Sequence, residues 1–299
     1  MSSAEDPPFK KIAIVGLGLI GGSIALAVRE RWPEVRIAGV DRHSVIAHAL
    51  GGGAIDRGYG DASAIGDADL VILAAPVQQN VVLLAEMAPR MPSSAVITDV
   101  GGTKRDIVRA ARALPLAAAF VGGHPIGGAE RGGFGFARPD LFKGRPWIFT
   151  PIETAPAGVM ERLFTFVKRL GARPSTLEAA DHDRVMAFLS HLPQLTASAL
   201  MDVIGGAVAG DGLALAGRGL VDTTRLASSP ADTWVDICAT NADVIKDALD
   251  GLIGRLTDLR SDLESGSAVA RTFDAAARWR AELMKGRPTA SIGPSCAPA

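Results

Sequence analysis

A single tyrosine, Tyr59, and two cysteines, Cys238 and Cys296, occur in 299 residues, and neither sign of charge is in excess: 31 Lys and Arg face 32 Asp and Glu, a formal net charge of -1. Two cysteines fit neither a disulfide framework nor a zinc-ligand spacing, so a reducing cytoplasm is the expected compartment. The balanced charge supplies no basic field for a polyphosphate backbone, and no nucleic-acid partner is expected. Met1 to Lys11 contain no apolar signal-peptide core, and no stretch reaches the roughly 18 uninterrupted apolar residues of a membrane span, so no membrane association is expected either. What the chain has in quantity is glycine, 34 residues, about 11% against a usual 7% or so.

Five continuous apolar runs punctuate the first half: Lys11 to Gly16, Arg36 to Asp41, Asp69 to Ala75, Ala95 to Asp99 and Ala118 to Gly122. Continuous rather than alternating apolar character marks strands covered on both faces, hence parallel strands. Helical patterns at Ile20 to Arg31, Val77 to Met87 and Thr103 to Leu114 lie between them, the order of a doubly wound α/β sheet. Trp147 to Thr150, a helix from about Pro156 to Leu170, and Pro174 to Glu178 read as one more unit, closing a first domain at residue 180. From residue 181 to 286 the pattern is all helical. Val185 to Met201 is apolar on almost every side, more than such a domain can cover alone, and predicts that a second subunit covers it. Ser229 to Asp232 reads as a capping-box start with Pro at the first helical position. Trp234, Ile237, Asn241, Ile245 and Leu252 follow as one stripe of a single long helix, and residues 287–299 read as a flexible tail.

Gly16-Leu17-Gly18-Leu19-Ile20-Gly21 follows the first strand and opens a helix, the context that a dinucleotide fingerprint requires. Gly16 permits the turn, Gly18 the approach of a pyrophosphate, Gly21 the packing of helix on strand, and the helix N-terminus offers N–H groups to the anion. Asp41 ends the second strand, where a carboxylate accepts from the ribose hydroxyls of NAD and repels the extra phosphate of NADP. NAD is therefore expected over NADP, although Arg42 follows at once as a potential phosphate partner. Ala75 and Pro76 belong on the same carboxyl edge of the sheet.

That edge also carries Asp99-Val100-Gly101-Gly102-Thr103-Lys104 and Gly122-Gly123-His124-Pro125. Pro125 biases His124 toward an extended backbone, at the mouth of the nicotinamide pocket. An imidazole of ordinary pKa near 6.5 suits the removal of a hydroxyl proton as hydride leaves the same carbon. On the apolar helix, His191 and Gln194 share a face at i, i+3, and Pro193 should bend the helix. Such polar groups need partners, either a carboxylate-bearing substrate or a neighbouring helix or subunit.

The fingerprint, the DVGGTK and GGHPIGG segments with Glu130, Ser190-His191-Leu192-Pro193, and Asp222-Thr223-Thr224-Arg225 through Trp234 together resemble the prephenate/arogenate dehydrogenase family over roughly residues 10 to 285. The resemblance implies a Rossmann-type domain followed by an all-helical dimerisation domain, a homodimer, and NAD-dependent oxidative decarboxylation of a cyclohexadienyl acid in tyrosine biosynthesis. It implies that His124 is the general base, that Arg225 grips a substrate carboxylate, and that Glu130 lies near the site. Where many relatives carry a serine this chain has Gly102, so Thr103 or a water would stand in for that hydroxyl; Gln194 stands where many carry a second histidine. Two alternatives remain open at this point: a β-hydroxyacid or 6-phosphogluconate type of dehydrogenase, for which Lys246 would be the lysine, and a nucleotide-binding sensor without catalysis, which Gly102 alone encourages.

Overall fold

The computed structural model describes residues 6–115, 118–128, 131–153, 155–156 and 158–285, so Glu130 and the expected tail at 287–299 lie outside the described residues. The chain divides into two compact units, residues 1–245 and 246–299.

The first unit is built on one eight-stranded sheet of order β3-β2-β1-β4-β5-β6-β7-β8. Strands β1 (Lys11–Val15), β2 (Arg36–Val40), β3 (Arg57–Tyr59), β4 (Leu70–Leu73), β5 (Val96–Asp99) and β6 (Ala119–Pro125) are parallel. Helices α1 (Leu19–Arg31), α2 (His43–Gly51), α3 (Val77–Met87) and α4 (Arg105–Ala113) connect them. Because successive side chains on a strand point to opposite faces, Ile12 and Ile14 enter one core cluster with Ile24, Val28 and Phe166, while Ala13 and Val15 enter another with Leu84, Ile97 and Ile107. Two apolar faces explain why the strands read as unbroken apolar runs.

Helix α2 and strand β3 had no counterpart in the sequence reading. β3 is three residues at the sheet edge, one of them glycine, and only partly buried, so it carries no apolar signature. Strand β7 (Pro146–Pro151) runs antiparallel to β6, and β8 (Arg173–Thr176) parallel to β7, with α5 (Val159–Arg169) between them. A parallel return to the sheet needs a crossover, usually a helix. Among the described residues between β6 and β7 there is only the short 3₁₀ turn Phe134–Phe136.

After β8 come α6 (Ala179–Met186), a π-helical turn over Ala187–His191, α7 (Leu192–Leu213), α8 (Arg218–Thr224), α9 (Ala231–Thr240), α10 (Ala242–Ser261) and α11 (Ser267–Lys285). Pro193 falls in the first turn of α7, where a missing N–H is tolerated, and the irregularity expected of it takes the form of the π-helical turn just before. The single long helix expected after Ser229 is instead two. Asn241 leaves the helical region at φ -140°, ψ 28°. Its side chain is drawn elsewhere: Nδ2 donates to the Asp183 carbonyl at 2.9 Å, and Oδ1 accepts from Arg105 at 2.8 Å. The expected capping box is also absent, since the Ser229 hydroxyl donates to Gln194 Oε1 at 3.2 Å and no side chain caps α9.

The run Ala179–Leu213 is long and apolar enough to cross a membrane by length and composition alone, with a mean hydropathy of 1.2. Its first turns carry His182 and Asp183, both wholly buried among protein partners. Further along, Leu189 and Val203 are 71% and 69% exposed, so the burial expected on every side is not supplied by this chain. The second unit holds the remainder of α10 and α11, where Ala268 is buried and Phe273 and Trp279 are exposed.

Candidate active site

Gly16 follows β1 at φ +97°, and a Cβ there would lie 2.6 Å from the Ala74 carbonyl, so only glycine fits the turn. A Cβ on Gly21 would sit 1.9 Å from the Gly16 oxygen, which is how closely α1 passes the strand end. Gly18 differs: a Cβ there would meet nothing within 4 Å. Leu19 and Ile20 begin α1 just beyond it, and no side chain caps that helix among the described residues. Open space above uncapped N–H groups is the cradle that a pyrophosphate requires.

Asp41 stands one residue beyond β2 and ties the glycine loop in place. Its Oδ2 accepts from Leu17 N–H and its Oδ1 from Arg42 N–H, both at 2.7 Å. The Arg42 side chain is 88% exposed. At the end of β4, Ala75 N–H donates to Asn80 Oδ1 at 3.1 Å, while Asn80 Nδ2 donates to the Leu73 carbonyl at 3.2 Å. Pro76 then precedes α3, whose first N–H groups, Val77 and Gln78, donate to the carboxylate of Asp236 on α9 at 2.6 and 3.2 Å.

The ends of β5 and β6 form the second half of the site. Asp99 and Lys104 make a fully buried ion pair, and Asp99 also accepts from Gly101 N–H at 2.8 Å and Gly123 N–H at 3.1 Å. Burial pushes the Lys104 ammonium pKa down, against the opposing charges of Asp99 and Asp183. His124 closes β6, with a trans bond to Pro125. Its Nδ1 lies 2.9 Å from His182 Nε2, and His182 Nδ1 lies 2.8 Å from Asp183 Oδ1. Asp183 in turn accepts from Lys104 N–H at 2.7 Å, Arg105 N–H at 2.9 Å and Arg105 Nε at 3.3 Å. Burial holds the His124 imidazole well below its ordinary pKa, helped by His182, Lys104 and His191. His182 is lowered by burial too, with Asp183 opposing. Burial alone would raise Asp183, but the bonds from His182 and from the Arg105 and Lys104 backbone hold its carboxyl below the usual range.

The other residues singled out from the sequence have these surroundings. Thr103 cannot stand in for a missing serine: it is wholly buried and its hydroxyl bonds Thr240 Oγ1 at 2.7 Å. At Gly102 a Cβ would approach Ile237 Cδ1 to 3.2 Å, so an isoleucine of α9 fills the space above it. Gln194 is buried and its amide is used inside the protein, with Nε2 donating to the Leu226 carbonyl at 2.7 Å and Oε1 accepting from Ser229. His191 is buried under Asn241, 3.3 Å from Nδ2 to Nδ1, with the half-buried Trp234 ring edge-on to it. Burial first, and then the opposed charges of Asp183 and His182, bring its pKa to about 4. Arg225 is exposed and begins the 3₁₀ turn Arg225–Ser228 that Gln194 holds at Leu226.

His182, Asp183 and Asp236 carry no functional signal in the sequence, and Asn241 reads there only as part of a helical stripe. Their partners across the site lie far away in sequence: 58 residues for His124 and His182, 79 for Lys104 and Asp183, 159 for Val77 and Asp236. The one local signal was polarity out of place, Asp181-His182-Asp183 heading an otherwise apolar helix.

Residues 24–176 match the family model described as prephenate dehydrogenase, nucleotide-binding domain, and residues 178–271 match prephenate dehydrogenase, dimerization domain. The chain is 35% identical over 278 residues to a prephenate dehydrogenase of Bacillus subtilis (strain 168), covering 90% of this chain and 75% of that protein. It is 32% identical over 264 residues to a cyclohexadienyl dehydrogenase of Zymomonas mobilis, covering 86% and 89%. The crystal structure of prephenate dehydrogenase from A. aeolicus in complex with hydroxyphenyl propionate and NAD+ is similar at a TM-score of 0.83 and 27% identity, over 92% of this chain and 98% of that one. A doubly wound sheet with an open glycine cradle, followed by helices that match a dimerisation model, leaves one conclusion: the chain belongs to the prephenate dehydrogenase family of oxidoreductases.

Proposed function

We propose that this protein carries out the NAD-dependent oxidative decarboxylation of prephenate, arogenate or both, in tyrosine biosynthesis, with His124 as general base. The observation that carries the reading is the position of His124, at the end of β6 on the sheet edge that also holds the Gly18 cradle, with Nδ1 engaged by His182. That leaves Nε2 for the substrate hydroxyl. Bound NAD supplies a hydride acceptor. Gly16, Gly18, Leu19, Ile20 and Gly21 would hold its pyrophosphate, Asp41 its ribose hydroxyls in preference to the phosphate of NADP, and Ala75 and Pro76 would flank it. The hydroxyl proton passes to His124 Nε2 as the ring carbon gives up hydride. The bond to the ring carboxylate then breaks, carbon dioxide leaves, and its electron pair completes the aromatic ring.

Arg225 would grip a substrate carboxylate in two-pronged fashion. His191 would present Nε2–H, since its Nδ1 faces the Asn241 amide, which donates. Glu130 is assigned to the rim of the site on sequence grounds. The nucleotide-binding domain is taken as residues 1–180 and the helical substrate and dimerisation domain as 181–286. A second copy of the chain would cover the exposed side chains of Phe188, Leu189 and Val203, consistent with the dimerisation model matched there. The test is direct: prephenate, arogenate and a 3-hydroxy acid are each mixed with protein and either NAD or NADP, and reduced-nicotinamide absorbance is followed. Signal with a cyclohexadienyl acid and NAD is expected; silence with both acids overturns the reading.

A further inference from the structure

We propose that His182 and Asp183 are positioning residues that fix the tautomer and orientation of His124, so that its Nε2 is always presented as a bare acceptor. The inference rests on the functional reading above but has a readout that does not.

The argument runs through hydrogen-bond donors and acceptors. An ionised carboxylate only accepts, so at 2.8 Å from Asp183 Oδ1 the proton of His182 is on Nδ1. A neutral His182 then has a bare Nε2, and at 2.9 Å from His124 Nδ1 it accepts that proton. His124 is left with Nε2 unprotonated, as a base requires. The groups facing His124 favour neutrality throughout: Lys104 adds positive charge, His191 is itself held neutral, and burial acts on all three imidazoles.

The far end of the relay is rigid. Asp183 is wholly buried and is gripped by two backbone N–H groups at the start of α4 and by Arg105 Nε, so its position is set by a helix terminus rather than by a flexible partner. Removing one partner from such a buried arrangement is costly, and the relay therefore holds a single geometry. The Gly102-Thr103 turn supplies no hydroxyl to that role: Gly102 has none, and the Thr103 hydroxyl is committed to Thr240.

Asp183→Asn is the sharp test. An asparagine keeps both Arg105 donors only with its oxygen in the Oδ2 place; its amide then takes the Oδ1 place, loses the bond from Lys104 N–H and donates to His182 Nδ1. That reverses the relay and moves the His124 proton to Nε2, the wrong nitrogen for a base. The expected result is a fall in kcat of about a hundredfold or more with little change in KM for either substrate. His182→Leu should fall similarly, while His182→Gln, whose amide oxygen can accept from His124 Nδ1, should recover a substantial part. The independent readout is ¹⁵N imidazole NMR of the free protein, which has five histidines: wild type should show His124 protonated on Nδ1, and Asp183→Asn protonated on Nε2. A wild-type His124 protonated on Nε2 overturns the proposal, as does a folded His182→Leu variant with wild-type kcat. If wild type shows the Nδ1–H form but turns over neither cyclohexadienyl acid, the relay stands and the functional reading falls. Should the Asp183 variant fail to fold, the wild-type spectrum and the two His182 variants still decide.

Discussion

Two glycines three residues apart, Gly18 and Gly21, should fail in different ways, and the difference tests the nucleotide cradle. In Gly21→Ala the new Cβ would sit 1.9 Å from the Gly16 carbonyl oxygen and 3.0 Å from Ile14 Cγ2. Backbone cannot rotate aside like a side chain, so α1 must retreat by about 1 Å, and it carries Ile24, Ala25 and Val28 out of register with the core. Overpacking of this kind costs about 1–3 kcal/mol. For a chain of this size that is a fall in Tm of roughly 2–10 °C. In Gly18→Ala the Cβ meets nothing within 4 Å, so Tm should move by no more than about 2 °C. The methyl group would nevertheless stand where the pyrophosphate approaches, and NAD affinity should weaken about tenfold or more, about 1.4 kcal/mol. Thermal scanning without cofactor, paired with calorimetric titration of NAD, separates the two. Gly21→Ala should lose both stability and affinity, Gly18→Ala affinity alone. Equal losses of Tm in the two variants, or full NAD affinity in Gly18→Ala, would refute the argument.

The other expectations concern chemistry and pH. His124→Asn should collapse kcat while leaving NAD binding nearly intact in the same titration; wild-type turnover would remove His124 as the base. Arg225→Ala should chiefly raise KM for the cyclohexadienyl acid, and an unchanged KM would take Arg225 out of the binding site. Because burial lowers the His124 pKa and the base must be neutral, the acid limb of kcat/KM should lie below the ordinary 6.5; a limb at neutral pH or above contradicts this. Stability has its own window. With its pKa brought to about 4, His191 binds its proton less readily in the folded state than in the unfolded one. Its contribution is intact above the unfolded value near 6.5 and is lost as pH falls toward 4, of order 3 kcal/mol in all. Urea midpoints at successive pH values should drop across that interval, and a flat profile would show that His191 is not held neutral by the fold.

The parts of this fold that could be read from sequence are those where chemistry is local. β1, β2, β4, β5 and β6 are short strands covered on both faces, so the apolar run itself is the signal, and the glycine cradle is contiguous in the chain. β3 was illegible because an edge strand of three residues buries too little to leave a pattern. The break at Asn241 was illegible for the opposite reason. Its neighbours keep helical spacing, and only the pull of Asp183 and Arg105, far away in sequence, unwinds it. The same holds in the site: His124 announced itself by following a strand, whereas His182 looked like one polar residue of a helix until folding brought the two rings to 5.1 Å between centroids.

Four helices, α1, α2, α3 and α4, begin along the carboxyl edge of the sheet, and each start is a place where an anion would settle. Two of the four starts are already met by the protein's own carboxylates, Asp236 at the start of α3 and Asp183 at the start of α4. Those two acids not only fill their helix starts but repel any second negative group that approaches. Among the described residues no side chain caps α1 or α2, and of these two it is α1 that opens from the glycine loop at Gly18. If the proposed function holds, a dinucleotide would moor at the start of α1, with adenosine toward Asp41 and nicotinamide toward His124, because the chain has closed the starts of α3 and α4 to it.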